Sequence, residues 1–315
     1  MQQKKATKPR ASRNRTIALT SEEAIRYKKN IVKVLAPVTT PQIENKVILG
    51  DAHTILNFLP KQKFNLLFAD PPYNLNKKFG TNTFKQTSLE AYEKWLDGWL
   101  SKCVKLLTPD ASIYICGDWR SSSAIQRVGL KHFILRNRIT WEREKGRGSK
   151  TNWKNASEDI WFFTLSENYK FNVEEVMVRK KVIAPYKEEG KPKDWAAENG
   201  GNFRLTHPSN LWNDLTVPFW SMPENTVHPT QKPEKLLAKI ILASTGKNDL
   251  ILDPFSGSGT SAVVAKKLGR KFTCIETDED YCLLTEKRLE LATNDTTIQG
   301  YTDGIFWERN SQFKK

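Results

Sequence analysis

The sequence predicts an α/β protein with a doubly wound, mostly parallel sheet. One observation is the apolar run Phe64–Ala69, which predicts a buried strand and ends at Asp70. Another is the succession of a strand, a glycine-rich loop and a helix in residues 250–268, followed by a strand that ends at Glu276. This loop lies near the end of a 315-residue chain. Most strands must therefore precede it, and the fold is circularly permuted relative to a dinucleotide fold that begins at its glycine loop.

The run Val47-Ile48-Leu49 predicts the first strand, which ends in a Gly50-Asp51 turn. The next strand ends in Asp70-Pro71-Pro72-Tyr73. In a doubly wound sheet, ligands bind beyond the carboxyl ends of the strands. The two prolines hold this loop extended, so we expect the Asp70 carboxylate and nearby carbonyl oxygens to face a pocket. Tyr73 can stack on a planar ring that enters the pocket.

The middle of the chain continues this alternation of helices and strands. Residues 87–90 form a capping box that opens a helix. Apolar residues then repeat at helical spacing and are predicted to be core, namely Tyr92, Trp95, Leu96, Trp99, Leu100, Cys103 and Leu107. Residues 111–116 predict the next strand, and residues 159–164 and 169–171 predict two short strands separated by a turn.

The glycine-rich loop reads Asp253-Pro254-Phe255-Ser256-Gly257-Ser258-Gly259-Thr260. Its glycines let the backbone approach a ligand, and the following helix, predicted from Ser261 to Leu268, adds unpaired N–H groups at its N-terminus. Glu276 ends the next strand at the spacing expected of an acid that binds ribose hydroxyls. The loop therefore predicts a site for an adenosine compound.

A third motif, His228-Pro229-Thr230-Gln231-Lys232-Pro233, precedes an apolar helix. Together and in this order, the three motifs resemble those of DNA amino-methyltransferases that use S-adenosylmethionine. In the class called β, the Asp-Pro-Pro-Tyr loop precedes the Phe-x-Gly-x-Gly loop, as it does here. The resemblance covers about residues 45 to 295, and the insert in the middle matches only in position.

The resemblance implies a Rossmann-like, S-adenosylmethionine-dependent methyltransferase fold with a seven-stranded sheet and an inserted target-recognition region. Residues 159–171 would supply its terminal hairpin. The implied organisation is a basic N-terminal arm (1–40), a catalytic half (41–171), the target-recognition region (172–224), a cofactor-binding half (225–295) and a C-terminal tail (296–315).

The resemblance also implies roles for the motif residues. The expected catalytic residues are Asp70, Pro71, Pro72 and Tyr73. The segment that contains His228 is expected to close over the methionine part of the cofactor, and Asp51 to lie near its adenine. The expected cofactor-binding residues are Asp51, Asp70, His228, Thr230, Lys232, Asp253, Phe255, Ser256, Gly257, Ser258, Gly259, Thr260 and Glu276.

The implied reaction is methylation of the N6 amine of an adenine flipped out of duplex DNA. Its lone pair is delocalised into the ring, so the enzyme must localise it by accepting one N–H at Asp70 and the other at the Pro71 carbonyl. The ring of Phe255 would pack near the sulfonium, because an aromatic face attracts a cation. Alignment of the two reactants would supply the larger part of the rate enhancement.

Other functions fit parts of the pattern. Cytosine-N4 methylation is the nearest alternative, although the cytosine enzymes more often have Ser where this chain has Asp70. Guanine and RNA amino-methyltransferases usually begin the motif with Asn. A nicotinamide-dependent dehydrogenase would explain the glycine loop and Glu276 but neither of the other two motifs. A non-catalytic DNA-binding protein would explain only the charge.

The chain carries a net charge of +15 and has a pI near 9.5, which predicts a polyanionic partner, here double-stranded DNA. Residues 1–16 contain Lys and Arg but no acid and predict a disordered arm, which either contacts phosphate or is a solvated tail. Its loss is expected to weaken DNA binding without stopping catalysis. The predicted phosphate-contacting residues lie in a basic stretch: Arg143, Lys145, Arg147, Lys150 and Lys154.

Several further expectations follow from the sequence. The four cysteines have no metal-binding spacing and are expected to be reduced core residues. His132 and His207 also lack such spacing, so no metal is expected. Without a membrane span or a signal peptide, we expect a cytoplasmic protein, either monomer or homodimer. The resemblance implies either a stand-alone methylase or half of a restriction–modification pair, whose endonuclease acts on the same site without stable binding.

Overall fold

The computed structural model describes residues 11–79, 82–143, 150–182, 187–198 and 201–309. The helices are α1 (Ser21–Lys28), α2 (Thr40–Ile43), α3 (Ala52–Ile55), α4 (Leu89–Val104), α5 (Ser122–Gly129), α6 (Glu234–Ser244), α7 (Thr260–Lys267) and α8 (Glu279–Asn294), with a 3-10 turn at Val173–Val176. The strands are β1 (Lys46–Leu49), β2 (Phe64–Ala69), β3 (Lys77–Phe79), β4 (Asn82–Phe84), β5 (Leu107–Gly117), β6 (Ile134–Glu142), β7 (Ser157–Thr164), β8 (Val178–Lys181), β9 (Lys187–Glu188), β10 (Lys191–Pro192), β11 (Ala196–Glu198), β12 (Gly201–Thr206), β13 (Leu211–Trp212), β14 (Leu250–Asp253), β15 (Lys271–Glu276), β16 (Tyr301–Thr302) and β17 (Ile305–Trp307).

The main sheet has the order β1-β15-β14-β2-β5-β7-β6-β13. Its first five strands are parallel, and β7 is antiparallel to both of its neighbours. Two strands from the end of the chain, β14 and β15, therefore lie between β1 and β2, which confirms the permuted, doubly wound fold. Leaving aside the two-residue strand β13 at the edge beside β6, the sheet has the expected number of seven strands, but β6 takes the place of the strand predicted at residues 169–171.

Helices cover both faces of this sheet because its strands are apolar on both sides. On β2, Leu66 and Phe68 face the core beneath α6, α7 and α8, whereas Leu67 and Ala69 face the core beneath α4 and α5. The four cysteines are free and buried, which confirms that they are reduced core residues. Within the described ranges, no helix is long and apolar enough to cross a membrane.

Helix α4 begins one residue later than the capping box predicts. Ser88 is the N-cap, and its hydroxyl accepts a hydrogen bond from the Ala91 amide at 3.2 Å. The helix ends at Val104, so Leu107 does not continue its apolar face but begins β5. Helix α7 begins at Thr260, one residue earlier than predicted.

The prediction of a strand at residues 169–171 is wrong. The antiparallel partner of β7 is the preceding strand β6, which lies beside it from Ile134 to Glu142. Residues 169–171 leave the sheet and cover its face, where the Tyr169 ring lies 6.0 Å from that of Phe162. The Asn172 amide then bonds the Ala243 carbonyl at 2.7 Å, which directs the chain along α6.

Disorder was expected for residues 1–16, but the described part of this range contacts the domain, where the Arg15 amide donates to the Trp220 carbonyl at 2.7 Å. The rest of the arm is also folded onto the domain. Ile17 pairs with Thr226, just before the His228 motif. Helix α1 has a complete capping box and packs along α8 through ion pairs such as Arg26 with Glu290 at 2.6 Å. Residues 1–10 lie outside the described ranges.

A second sheet, of order β11-β12-β8-β17-β16, combines the expected target-recognition region with the end of the chain. Strand β17 pairs in parallel with β8, and Phe306 lies beside Val178. The chain end is therefore not a loose tail up to residue 309. Lys235 of α6 reinforces this connection by donating a hydrogen bond to the carbonyl of Trp307.

Phe306→Ala should lower the free energy of unfolding by about 3 to 5 kcal/mol, because the Phe306 side chain is fully buried in the core beneath α6. Urea unfolding followed by circular dichroism measures this. Trp153→Ala is the control, since its side chain is 97% exposed. Equal stability of the two variants would contradict this account of the chain end.

Candidate active site

A pocket of about 220 Å³ opens at the carboxyl ends of the central strands. It is lined by nearly all of the predicted catalytic and cofactor-binding residues: Asp51, Asp70, Pro71, Pro72, Tyr73, His228, Thr230, Lys232, Asp253, Phe255, Ser256, Gly257, Ser258, Thr260 and Glu276. The three sequence motifs therefore meet in one cavity. Residues that the sequence reasoning did not assign also line it, among them His53, Trp95, Asp278 and Tyr281.

The Asp70 carboxylate has a donor on each oxygen. The Tyr73 hydroxyl donates to Oδ1 at 2.9 Å, and the Lys232 ammonium donates to Oδ2 at 2.5 Å. Helix α4 holds the loop in place, because the Tyr92 hydroxyl donates to the Pro72 carbonyl at 3.0 Å. Lys232 was predicted to bind the cofactor, and in the structure its charge lies against the Asp70 carboxylate.

Glu158, at the start of β7, extends this arrangement and was not predicted. Its Oε2 lies 3.2 Å from the Tyr73 hydroxyl and 3.4 Å from the Lys232 ammonium. Burial opposes the charge on Lys232, but the carboxylates of Asp70 and Glu158 outweigh it and raise the pKa of the ammonium. Burial, followed by these same negative charges, also raises the pKa of the Tyr73 hydroxyl. Tyr73 is therefore a hydrogen-bond donor at neutral pH, and Lys232 is a cation.

The two glycines of the cofactor loop have different functions in the fold. Gly257 has φ +52°, and a Cβ there would lie 3.0 Å from Nε2 of His228, inside the pocket. Gly259 has φ +73°, and its Cβ would lie 2.1 Å from the Thr285 side chain. Gly257 thus leaves space for a ligand, whereas Gly259 allows the start of α7 to approach α8 closely.

Glu276 closes the loop from the neighbouring strand. Its carboxylate accepts hydrogen bonds from the backbone amides of Gly257 at 2.8 Å, Thr277 at 2.8 Å and Asp278 at 2.9 Å. Burial raises its pKa, and these amides oppose the rise. Asp51, the other predicted acid on this side, is the N-cap of α3 and accepts from the Thr54 amide at 3.0 Å.

Aromatic side chains form another part of the pocket lining, among them Phe255 and Trp95. The Phe255 ring packs edge-on against Trp99 at 5.0 Å and lies 5.8 Å from Trp95. Trp99 is fully buried, as expected of a core residue. Trp95 packs against the core as predicted, but it is only half-buried and also lines the pocket, which was not predicted. Trp95 lies at the boundary between the buried face of α4 and the cavity. Helical spacing alone does not distinguish a residue that faces the core from one that faces a pocket.

The predicted phosphate-contacting residues do not share one environment. Arg143 is half-buried, and its guanidinium donates to Glu158, the acid beside Tyr73 and Lys232. Lys150 and Lys154 are exposed. Lys145 and Arg147 lie outside the described residues. DNA contact by all five stays a prediction, and for Arg143 it would have to coexist with the ion pair.

The pocket fits S-adenosylmethionine on features of its own. Gly257 leaves a cradle that a side chain would fill, and Glu276 places a carboxylate beside it. The Ser256 hydroxyl is buried in the lining and has no hydrogen-bond partner among the described residues, as expected of a group that awaits a ligand. The fold and this pocket define an S-adenosylmethionine-dependent methyltransferase with an Asp-Pro-Pro-Tyr loop.

Comparison with known proteins narrows this class. The profile of the family described as DNA methylase matches residues 64–287, and the chain belongs to this family. It is 32% identical over 255 residues to DNA adenine methyltransferase YhdJ of Escherichia coli (strain K12), covering 79% of this chain and 83% of that one. It is 30% identical over 255 residues to Type II methyltransferase M.HpaI of Haemophilus parainfluenzae, with 80% and 76% covered.

Solved structures show the same fold. The PvuII DNA methyltransferase (cytosine-N4-specific) superposes with a TM-score of 0.58 at 21% identity, covering 79% of this chain and 90% of that one. A putative DNA modification methylase of Thermus thermophilus, TTHA0409, complexed with S-adenosyl-L-methionine, superposes with a TM-score of 0.54 at 19% identity, covering 85% and 99%.

Asp253, the acid that ends β14, should make the free energy of unfolding depend on pH. Burial raises the pKa of Asp253 to about 7, although the Ser261 hydroxyl and the Phe255 amide bond its carboxylate. The folded protein thus binds this proton more tightly than the unfolded chain, and the stability it contributes at low pH is lost as the pH rises toward 7. Asp253→Asn does not titrate, so its stability relative to wild type should rise by about 2 kcal/mol between pH 5 and pH 8.

Urea unfolding of both proteins across this pH range measures the difference. Asp303→Asn, the same substitution in an exposed turn, is the control. A constant difference for Asp253→Asn would show that Asp253 keeps an ordinary pKa.

Proposed function

We propose that this DNA methyltransferase acts on the N6 amine of adenine at a specific site in duplex DNA. The observation that carries the proposal is the Asp70 carboxylate, which lies in the pocket next to the cofactor loop. A carboxylate can accept an N–H of an exocyclic amine. The relative of E. coli, at 32% identity, is named a DNA adenine methyltransferase, which supports adenine over cytosine.

Bound S-adenosylmethionine supplies an electrophilic methyl group on a sulfonium. Gly257 and Ser256 would contact it in the cradle, and Glu276 would accept from ribose hydroxyls. Half-buried Trp95 and Phe255 would exclude water from one side of it.

The chain's own residues would prepare the amine. Asp70 accepts one N–H and the Pro71 carbonyl accepts the other, which localises the lone pair on nitrogen. The Tyr73 ring stacks on the flipped base, whose extrusion from the duplex costs a few kcal/mol. Asp70 acts first by positioning the amine and is also the nearest acceptor for the proton that the methylated nitrogen loses.

We further propose that residues 172–224 and the strands they form read the DNA sequence. The sheet β11-β12-β8 presents Arg204 on its exposed side, paired with Asp194 at 3.1 Å. An exposed arginine held by an acid can exchange that partner for a base edge or a phosphate. A cognate restriction endonuclease fits this reading, and M.HpaI is named as a Type II methyltransferase.

The test is to incubate the protein with labelled S-adenosylmethionine and unmethylated genomic DNA, and to identify the methylated nucleoside by mass spectrometry. N6-methyladenine is the expected product. N4-methylcytosine would keep the enzyme class and overturn the choice of base. The absence of label in both nucleosides would refute the proposed reaction.

Asp70→Asn should lower the rate of methyl transfer by at least about 100-fold, because an amide is a weaker acceptor and carries no charge to hold Lys232. Affinity for S-adenosylmethionine should change by less than about threefold, since the cradle is intact. Calorimetry and the nucleoside assay measure the two quantities, with Asp303→Asn as the control. Near-normal turnover would remove Asp70 from the catalytic residues.

Gly257→Ala should raise the Kd for S-adenosylmethionine at least about tenfold, because the new Cβ enters the cradle beside His228. Gly304→Ala is the matched control: Gly304 also has a positive φ, of +78°, but no atom within 4 Å of the added Cβ. Similar losses of affinity in both variants would mean that backbone strain, and not contact with the ligand, is responsible.

A further inference from the structure

Each oxygen of the Asp70 carboxylate already accepts one hydrogen bond in the structure, although the proposed reaction requires this carboxylate to accept an amine N–H as well. Tyr73 occupies Asp70 Oδ1, and Lys232 occupies Oδ2. An incoming N–H therefore shares its acceptor oxygen with a hydroxyl or an ammonium, and it forms a stronger hydrogen bond if that donor moves to another acceptor. A donor displaced from Asp70 within this buried site needs another acceptor, because an unpaired buried polar group is costly.

Glu158 is placed to accept a donor that is displaced from Asp70. A single oxygen, Oε2, lies 3.2 Å from the Tyr73 hydroxyl and 3.4 Å from the Lys232 ammonium. Both donors are thus within a few tenths of an ångström of a good hydrogen bond to Glu158. The Tyr73 hydroxyl has one proton, so it can be given fully to Asp70 or to Glu158 but not to both.

The surroundings keep Glu158 ready for this exchange. Its side chain is 6% exposed, and Arg143 donates to its other oxygen, Oε1. With Lys232 and Arg143 as cations and Asp70 and Glu158 as anions, the cluster is electrically balanced. Glu158 pairs with Trp141 of β6, and the next residue of β7, Asp159, pairs with Gly117 of β5, so the carboxylate extends from a paired strand.

We propose that Glu158 is a positioning residue that takes the Tyr73 hydroxyl and the Lys232 ammonium from Asp70 when the target base enters. This inference rests on the proposed function. The exchange moves hydrogen bonds only: every proton stays on its own atom, no covalent bond changes, and Asp70 Oδ1 becomes free for the N–H of the amine. Lys232 remains near both carboxylates and shields their repulsion.

A purely structural ion pair would have different consequences. If Glu158 only balanced the charge of Lys232, its loss would lower stability and disturb the pocket for every ligand. If it receives the donors, its loss leaves them on Asp70 and slows the step that needs Asp70, while cofactor binding is unchanged. Comparing the loss of maximal rate with the loss of cofactor affinity therefore distinguishes the two roles of Glu158.

Glu158→Gln keeps the shape of the side chain and an oxygen acceptor but removes the charge that attracts Lys232. At saturating DNA and cofactor, the rate should fall at least about tenfold, while the Kd for S-adenosylmethionine changes by less than about twofold. Glu158→Asp, which retains the charge, should recover part of the rate. Glu167→Gln is the control, because Glu167 lies just beyond the same strand and its side chain is 77% exposed.

Tyr73→Phe completes the test by removing the hydroxyl and keeping the ring. If the hydroxyl is one of the groups transferred, Glu158→Gln should cost less in the Tyr73→Phe background than in wild type, by at least about threefold. A near-normal rate in Glu158→Gln, fully additive effects, or a loss of cofactor affinity equal to the loss of rate would each overturn the proposal. Each of these results would overturn the role of Glu158 and leave the proposed function intact. Failure of the proposed function would be seen differently, as wild-type protein that does not label adenine.

Discussion

The parallel pairing of β2 with β14 is the constraint on which the site depends. Ile251 lies beside Leu66 and Leu252 beside Leu67, so the two strands reach the same edge of the sheet together. The first carries Asp70 at its end and the second carries Asp253. Strands whose paired residues are about 185 positions apart in the chain thus place the Asp-Pro-Pro-Tyr loop next to the glycine-rich loop. Permutation of the chain order leaves this neighbour relation unchanged, because the sheet requires only that the two strands pair.

The pairing also gathers charge in a place with little water. Asp70, Glu158 and Lys232 are 19%, 6% and 7% exposed at their side chains. Removing one member of such a group leaves a buried charge without its partner, which costs more than the group contributes to stability as a whole. Here the group surrounds Asp70, the carboxylate to which we assign the target amine under the proposed function.

Much of the fold could be predicted because apolar strands that end in acidic or glycine-rich loops have few alternative structures. Phe64–Ala69, Leu250–Asp253 and Lys271–Glu276 were recognised in this way. The contacts of Glu158 could not be predicted, since an acid at the start of a strand does not reveal which loop lies across from it. The same limit applies to the chain end: Ile305–Trp307 is too short to identify as a strand without its partner β8. Residues 169–171 have strand-like composition, but β7 had already paired with β6.

The parallel pairing of β17 with β8 has a consequence for engineering. Protein chimeras are often built by exchanging one continuous stretch of sequence for that of a relative. In this molecule the second sheet is assembled from two stretches that lie on opposite sides of the cofactor loop in the chain. A graft of residues 172–224 alone would replace β8 with that of the relative. It would keep β17 of this chain, which pairs with the original β8. Transplanting this sheet as a unit requires two crossovers around the insert and a third before Tyr301.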